Sequence, residues 1–67
     1  MTKQELIQNL KDRIVYNEDQ RAYYEGLHAE EVAKGDTISI WSELVDWYKG
    51  KIVAFNIAIE MAEMLEE

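Results

Sequence analysis

Residues 40–65 read Ile40-Trp41-Ser42-Glu43-Leu44-Val45-Asp46-Trp47-Tyr48-Lys49-Gly50-Lys51-Ile52-Val53-Ala54-Phe55-Asn56-Ile57-Ala58-Ile59-Glu60-Met61-Ala62-Glu63-Met64-Leu65. As a helix, this stretch carries two heptad-spaced stripes side by side. One is Ile40, Leu44, Trp47, Lys51, Ala54, Ala58, Met61 and Leu65; the other, displaced by one position, is Trp41, Val45, Tyr48, Ile52, Phe55 and Ile59. A helix packed against a single neighbour needs one such seam, so two seams predict two neighbours.

The first neighbour lies upstream in the same chain. Thr2 followed by Glu5 forms a capping box that opens a helix, and Ile7, Leu10, Ile14, Ala22, Tyr24, Ala29 and Val32 then fall within one arc of it. Lys34-Gly35-Asp36 ends it, because glycine takes the left-handed conformation that closes a helix, and Asp36, Thr37 and Ser39 are each fit to cap the next one. The expectation is an all-α fold, an antiparallel two-helix hairpin forming a single domain over residues 1–67. Helix 1 runs over about 3–33, the turn over about 34–38 and helix 2 over about 39–66. A short strand over Thr37-Ile38-Ser39-Ile40-Trp41 is the competing reading of that alternating, β-branched segment, but the chain offers it no hairpin partner.

With helix 1 on the first stripe, the aromatic stripe is left over. The expectation is a homodimer, a four-helix bundle whose interface is Trp41, Val45, Tyr48, Ile52, Phe55 and Ile59, with a two-fold axis between Tyr48 and Ile52. Chain length argues the same way. A 67-residue chain hides only about 60% of its unfolded surface when it folds alone. Without cysteine or proline it has no disulfide or cysteine-zinc staple, so sharing a core is its remaining route to stability. Gly50, inside helix 2, costs about 1 kcal/mol relative to alanine. It marks a close helix crossing or a small bend, or is simply tolerated.

Seven basic residues stand against 14 acidic ones, a net charge of −7. That balance repels phosphate, which weighs against direct nucleic-acid binding and against anionic membrane surfaces. The longest apolar run, Ile52-Val53-Ala54-Phe55, is far short of the roughly 20 residues of a membrane span, and the opening residues lack the apolar core of a secretory signal. A soluble, cytoplasmic protein with a basic protein partner is the expectation.

Antiparallel pairing places residues whose numbers sum to about 72 opposite one another. Lys51 then faces Arg21 between Glu18 and Glu25, and Asn17 and His28 extend the same arc as a polar layer within an apolar seam. Such a layer fixes register at some cost in stability; its alternative use is a site for a small anion held by Arg21 and Lys51. Glu25-Gly26-Leu27-His28 has the Glu-x-x-His spacing of di-iron bundles, but the further carboxylates could come only from a symmetric dimer using Glu18. The pairs Glu43/Asp46 and Glu60/Glu63 echo magnesium-holding helical pyrophosphohydrolases, yet about four turns of helix keep them from one metal. One histidine, no cysteine and no glycine-rich phosphate loop leave nucleophilic catalysis little to use. The expectation is a protein with no catalytic activity, no cofactor and no metal. Tyr16, Tyr23 and Leu27 form a stripe away from the main arc of helix 1, typical of interface anchors. Glu60, Glu63, Glu66 and Glu67 sit where the helix dipole favours positive charge. Tyr16, Tyr23, Leu27, Glu60, Glu63 and Glu66 are the candidate partner-binding residues.

The segments Thr2-Lys3-Gln4-Glu5-Leu6-Ile7-Gln8-Asn9-Leu10, Tyr23-Tyr24-Glu25-Gly26 and Ala58-Ile59-Glu60-Met61-Ala62-Glu63 are similar to those of small acidic helical proteins of Gram-positive phages and prophages. The resemblance spans most of the chain in style and size, and implies an accessory protein of the bacterial cytoplasm that binds and blocks a host protein, such as a nuclease or another defence factor. It carries no functional residue with it.

Overall fold

The computed structural model of the protein describes residues 1–35 and 40–65. Two helices account for nearly all of them: α1 over Lys3–Ala33 and α2 over Ile40–Glu63. They pack on each other as a hairpin 54 Å long and 14 × 12 Å across. Thr2 stands in extended backbone as the N-cap, and its hydroxyl accepts from the Glu5 N–H at 3.1 Å. At the other end the Lys34 N–H reaches the carbonyls of Glu30 and Glu31, and the Gly35 N–H that of Val32 at 3.0 Å. Gly35 has φ +99°, the left-handed conformation that only glycine enters without strain.

α2 ends at Glu63, short of the expected 66, in a turn where the Met64 and Leu65 N–H groups bond back to Met61 and Ala62. Its C-terminus receives a cation from across the hairpin. Lys3 Nζ donates to the carbonyl oxygens of Glu63 at 2.9 Å and Leu65 at 3.1 Å, which supplies the positive charge the dipole favours there. The caps Asp36, Thr37 and Ser39, the rest of the turn, the exact start of helix 2, most of the competing strand and Glu66 and Glu67 lie outside the described residues. Ile40 and Trp41, the described part of that strand, are helical.

A pair of helices meets along one line, so few side chains can be surrounded. Among the described residues only Val45 and Ala62 are buried apolar groups, at 6% and 4% exposure, and no side chain is fully enclosed. One polar residue joins them: Asn17, 4% exposed, donates from Nδ2 to the Arg13 carbonyl at 2.6 Å, while its Oδ1 has no hydrogen-bond partner among the described residues.

The seam of α2 that meets α1 is the aromatic one, which reverses the sequence expectation. Trp41, Val45, Tyr48, Ile52, Phe55 and Ile59, expected as the interface between copies, are buried or half-buried within the hairpin. Of the stripe assigned to α1, Leu44, Lys51 and Ala58 are half-buried at its edge, whereas Ile40, Trp47, Ala54, Met61 and Leu65 are exposed. The cause is steric fit. Tyr24 projects from the contact line of α1 and stacks between Trp41 and Tyr48, with ring centroids 5.6 and 5.7 Å away. That arrangement turns the aromatic seam inward.

Candidate functional site

The ring stack continues outward from the contact line. Tyr23 meets Tyr24 edge-on at 5.2 Å and Trp47 meets Tyr48 edge-on at 4.9 Å. Lys51 Nζ lies 4.0 Å from the Trp47 ring centroid and 5.9 Å from that of Tyr48, a cation–π cap on the array. On the inner side Trp41 Nε1 donates to Glu31 Oε1 at 3.0 Å, so the indole N–H is satisfied where it is half-buried.

Tyr16 and Tyr23 are seven residues apart and therefore share a flank of α1. They are 59% and 60% exposed. The flank of α2 beside them carries Lys51, and the cleft between holds a groove of about 520 Å³ bordered by Asn9, Asp12, Arg13, Tyr16, Asn17, Lys51 and Phe55. Further along, towards the chain ends, a second groove of about 380 Å³ is lined by Leu6, Leu10, Ala58, Met61, Ala62 and Leu65. One side of the hairpin thus presents exposed tyrosines, two cations and an apolar trough.

The six partner-binding candidates do not form one surface. Tyr16 and Tyr23 are exposed as expected, and Leu27 is half-buried beside them. Glu60 and Glu63 are exposed, but at 100° per residue they project from the side of α2 away from Lys51. Glu66 lies outside the described residues.

The polar layer is rearranged. Arg21 Nη1 pairs with Glu25 Oε2 at 2.8 Å, and Glu25 Oε1 faces Lys49 Nζ at 3.6 Å. Lys49 thus takes the place expected for Lys51, which sits on the opposite flank against Trp47. Glu18 is exposed. All three charged side chains of the triad are 30–55% exposed, so water screens them and each pair contributes no more than about 1 kcal/mol. His28 is half-buried, and its Nδ1 has no hydrogen-bond partner among the described residues. No three His, Cys, Asp or Glu side chains come together there as a metal site would require.

Sequence reasoning missed two residues. Arg13, not Arg21, is the arginine that borders the groove with Lys51; the numerical pairing rule gives height along the hairpin but not which flank a side chain takes. Lys3 clamps the far end of the chain through main-chain carbonyls, a contact with no side-chain pattern to reveal it.

Desolvation first, and then the neighbouring Tyr24 and Tyr16, hold the Tyr48 hydroxyl above its ordinary ionisation range. The unfolded chain therefore loses this proton at lower pH than the folded one. The resulting stability is complete below the ordinary tyrosine value of about 10 and is lost as pH rises through the folded value above it. Melting temperatures followed by circular dichroism should fall more steeply above that pH for the wild type than for Tyr48→Phe. Parallel slopes would mean that the tyrosine proton is indifferent to folding.

No family model, no curated protein and no solved structure matches this chain. No helix among the described residues is long and apolar enough to cross a membrane.

Proposed function

We propose that this hairpin is a non-catalytic binding module of the bacterial cytoplasm that docks on a basic, nucleic-acid-binding host protein and blocks it. The observation that carries this reading is the exposed pair Tyr16 and Tyr23, rigid amphipathic anchors one heptad apart, on a chain of net charge −7. The aromatic flank supplies contact area, and the acids on the remaining faces steer a basic partner into place. The hairpin works as a pair of copies, which gives its thin core the cover that one chain lacks. The resemblance to phage accessory proteins points to the same use.

The test is capture from a bacterial lysate by wild type and by the double variant Tyr16→Ala/Tyr23→Ala, at low and at raised salt. The expected result is a basic protein retained by wild type, released as salt rises, and lost by the variant. Retention that ignores salt would defeat the electrostatic part of the reading, and retention by the variant would defeat the aromatic part.

A second reading has its own observation. Arg13 and Lys51 border one groove of about 520 Å³ together with Asp12, a size suited to a nucleotide-like anion and a lining that keeps one cation in excess. A ligand at 100 times its dissociation constant adds about 2.7 kcal/mol to stability, so nucleotides should raise the melting temperature of wild type and leave Lys51→Met unmoved. An unchanged wild-type melt across nucleotides and inorganic phosphate would end this alternative.

A further inference from the structure

With the aromatic seam of α2 turned onto α1, the opposite side of the same helix carries a second complete heptad row. Trp47, Gly50, Ala54, Ile57, Met61 and Met64 follow one another at alternating intervals of three and four, the spacing of a coiled-coil seam. The large members of this row are 51–79% exposed: Trp47 at 54%, Ile57 at 51%, Met61 at 64% and Met64 at 79%. We propose that this outward row of α2 is the seam through which two copies of the chain associate. The inference rests on the pairing of hairpins proposed above and assigns that pairing a face.

Three observations commit the row to a second copy. The first is area. The hairpin exposes 5138 Å², against about 4,400 Å² for a compact monomer of its mass. This elongated pair of helices therefore leaves more surface to cover than one compact chain does, and a stable interface takes roughly 800 Å² from each partner. The second is Gly50. A Cβ built on it would meet nothing within 4 Å, so contact with α1 gives no reason for a residue that weakens the helix. A close approach by another helix backbone does, and Ala54 one turn on keeps the same stretch low. The third is charge. From Trp47 to Met64 the row contains no charged side chain, with Glu43 one turn before it, so its apolar centre is complementary to an identical apolar row. Asp46 and Glu60 on one side and Lys51 on the other border the row as a polar rim.

The test is mass in solution by sedimentation equilibrium, with helicity by circular dichroism, for wild type, Ile57→Asp and Gly50→Leu. Wild type should be dimeric at micromolar concentration. Both variants should shift the dimer dissociation constant upward by about tenfold or more. Gly50→Leu is the decisive variant because leucine favours the helix: it should weaken association while the hairpin stays helical, even if Ile57→Asp unfolds on losing its mate. A wild type that is monomeric at about 100 μM, well above the micromolar dissociation constants of weak complexes, would overturn both the pairing and the seam. A dimer that persists in both variants would overturn the seam alone. Monomeric wild type whose capture of a basic protein is abolished by Ile57→Asp would assign the row to that partner instead, against the inference.

Discussion

Tyr24→Ala should lower the thermal transition of the hairpin by about ten degrees or more or abolish it, whereas Tyr24→Phe should melt close to wild type. Tyr24 stacks on two of the three aromatic residues of the facing seam, 5.6 Å from Trp41 and 5.7 Å from Tyr48. Removing a buried aromatic ring costs about 3–5 kcal/mol; for a half-buried one in a two-helix contact, the lower end applies. A chain of this length holds only about 3–10 kcal/mol in total, so the loss is at least about a third of it and at the lower bound all of it. Among the described residues only two apolar side chains, Val45 and Ala62, are buried, so the rest of the contact is carried by half-buried groups. Circular dichroism melts of the two variants measure this directly. A wild-type melt for Tyr24→Ala would mean that the stack is decoration on a contact held elsewhere.

Asn17→Leu should act in the opposite direction and stabilise the fold by about 1–3 kcal/mol, the cost of a buried polar atom left without a partner. Asn17 Oδ1 is in that position, while Nδ2 satisfies itself on the Arg13 carbonyl one turn back in the same helix. Each kcal/mol corresponds to about 4–8 °C in melting temperature for a domain this small. The gain has a counterpart in specificity. A lone amide in an apolar seam penalises every register that would bury it elsewhere, so the leucine variant should also show broader or multiple amide resonances. A lower melting temperature for Asn17→Leu would show that the amide oxygen is satisfied in solution and stabilises the native register.

How much of this was legible in the sequence depends on which signals are local. The ends of α1 were, because Thr2 and Gly35 mark them by backbone chemistry that involves neighbours within a few residues. The hairpin register was also legible: Trp41 meets Glu31 and Tyr48 meets Tyr24, as pairing about a single turn requires. The choice between two adjacent stripes on α2 was not. Stripes one residue apart differ by about 100° of rotation, and periodicity is equally strong for both. What selects one is the volume opposite it, and that depends on Tyr24 fitting between Trp41 and Tyr48. The same rotation explains the exchange of Lys49 for Lys51. Two residues apart, they lie about 200° from one another, so one reaches Glu25 and the other Trp47. Of the candidate surface, the exposed pair Tyr16 and Tyr23 could be read from spacing; the groove that Tyr16 borders could not, since Arg13 enters it only through the side on which α2 returns.

The two tryptophans lie about 120° apart around α2, and this gives the molecule two optical reporters in different surroundings. Trp41 is stacked on Tyr24 and bonded to Glu31, so its emission follows closure of the helices on one another. Trp47 lies beneath the Lys51 ammonium on the outward row, so its emission colour is the readout for the second copy proposed to cover that row. With Trp41→Phe or Trp47→Phe in turn, closure and association become separately visible by fluorescence in one protein without an attached dye.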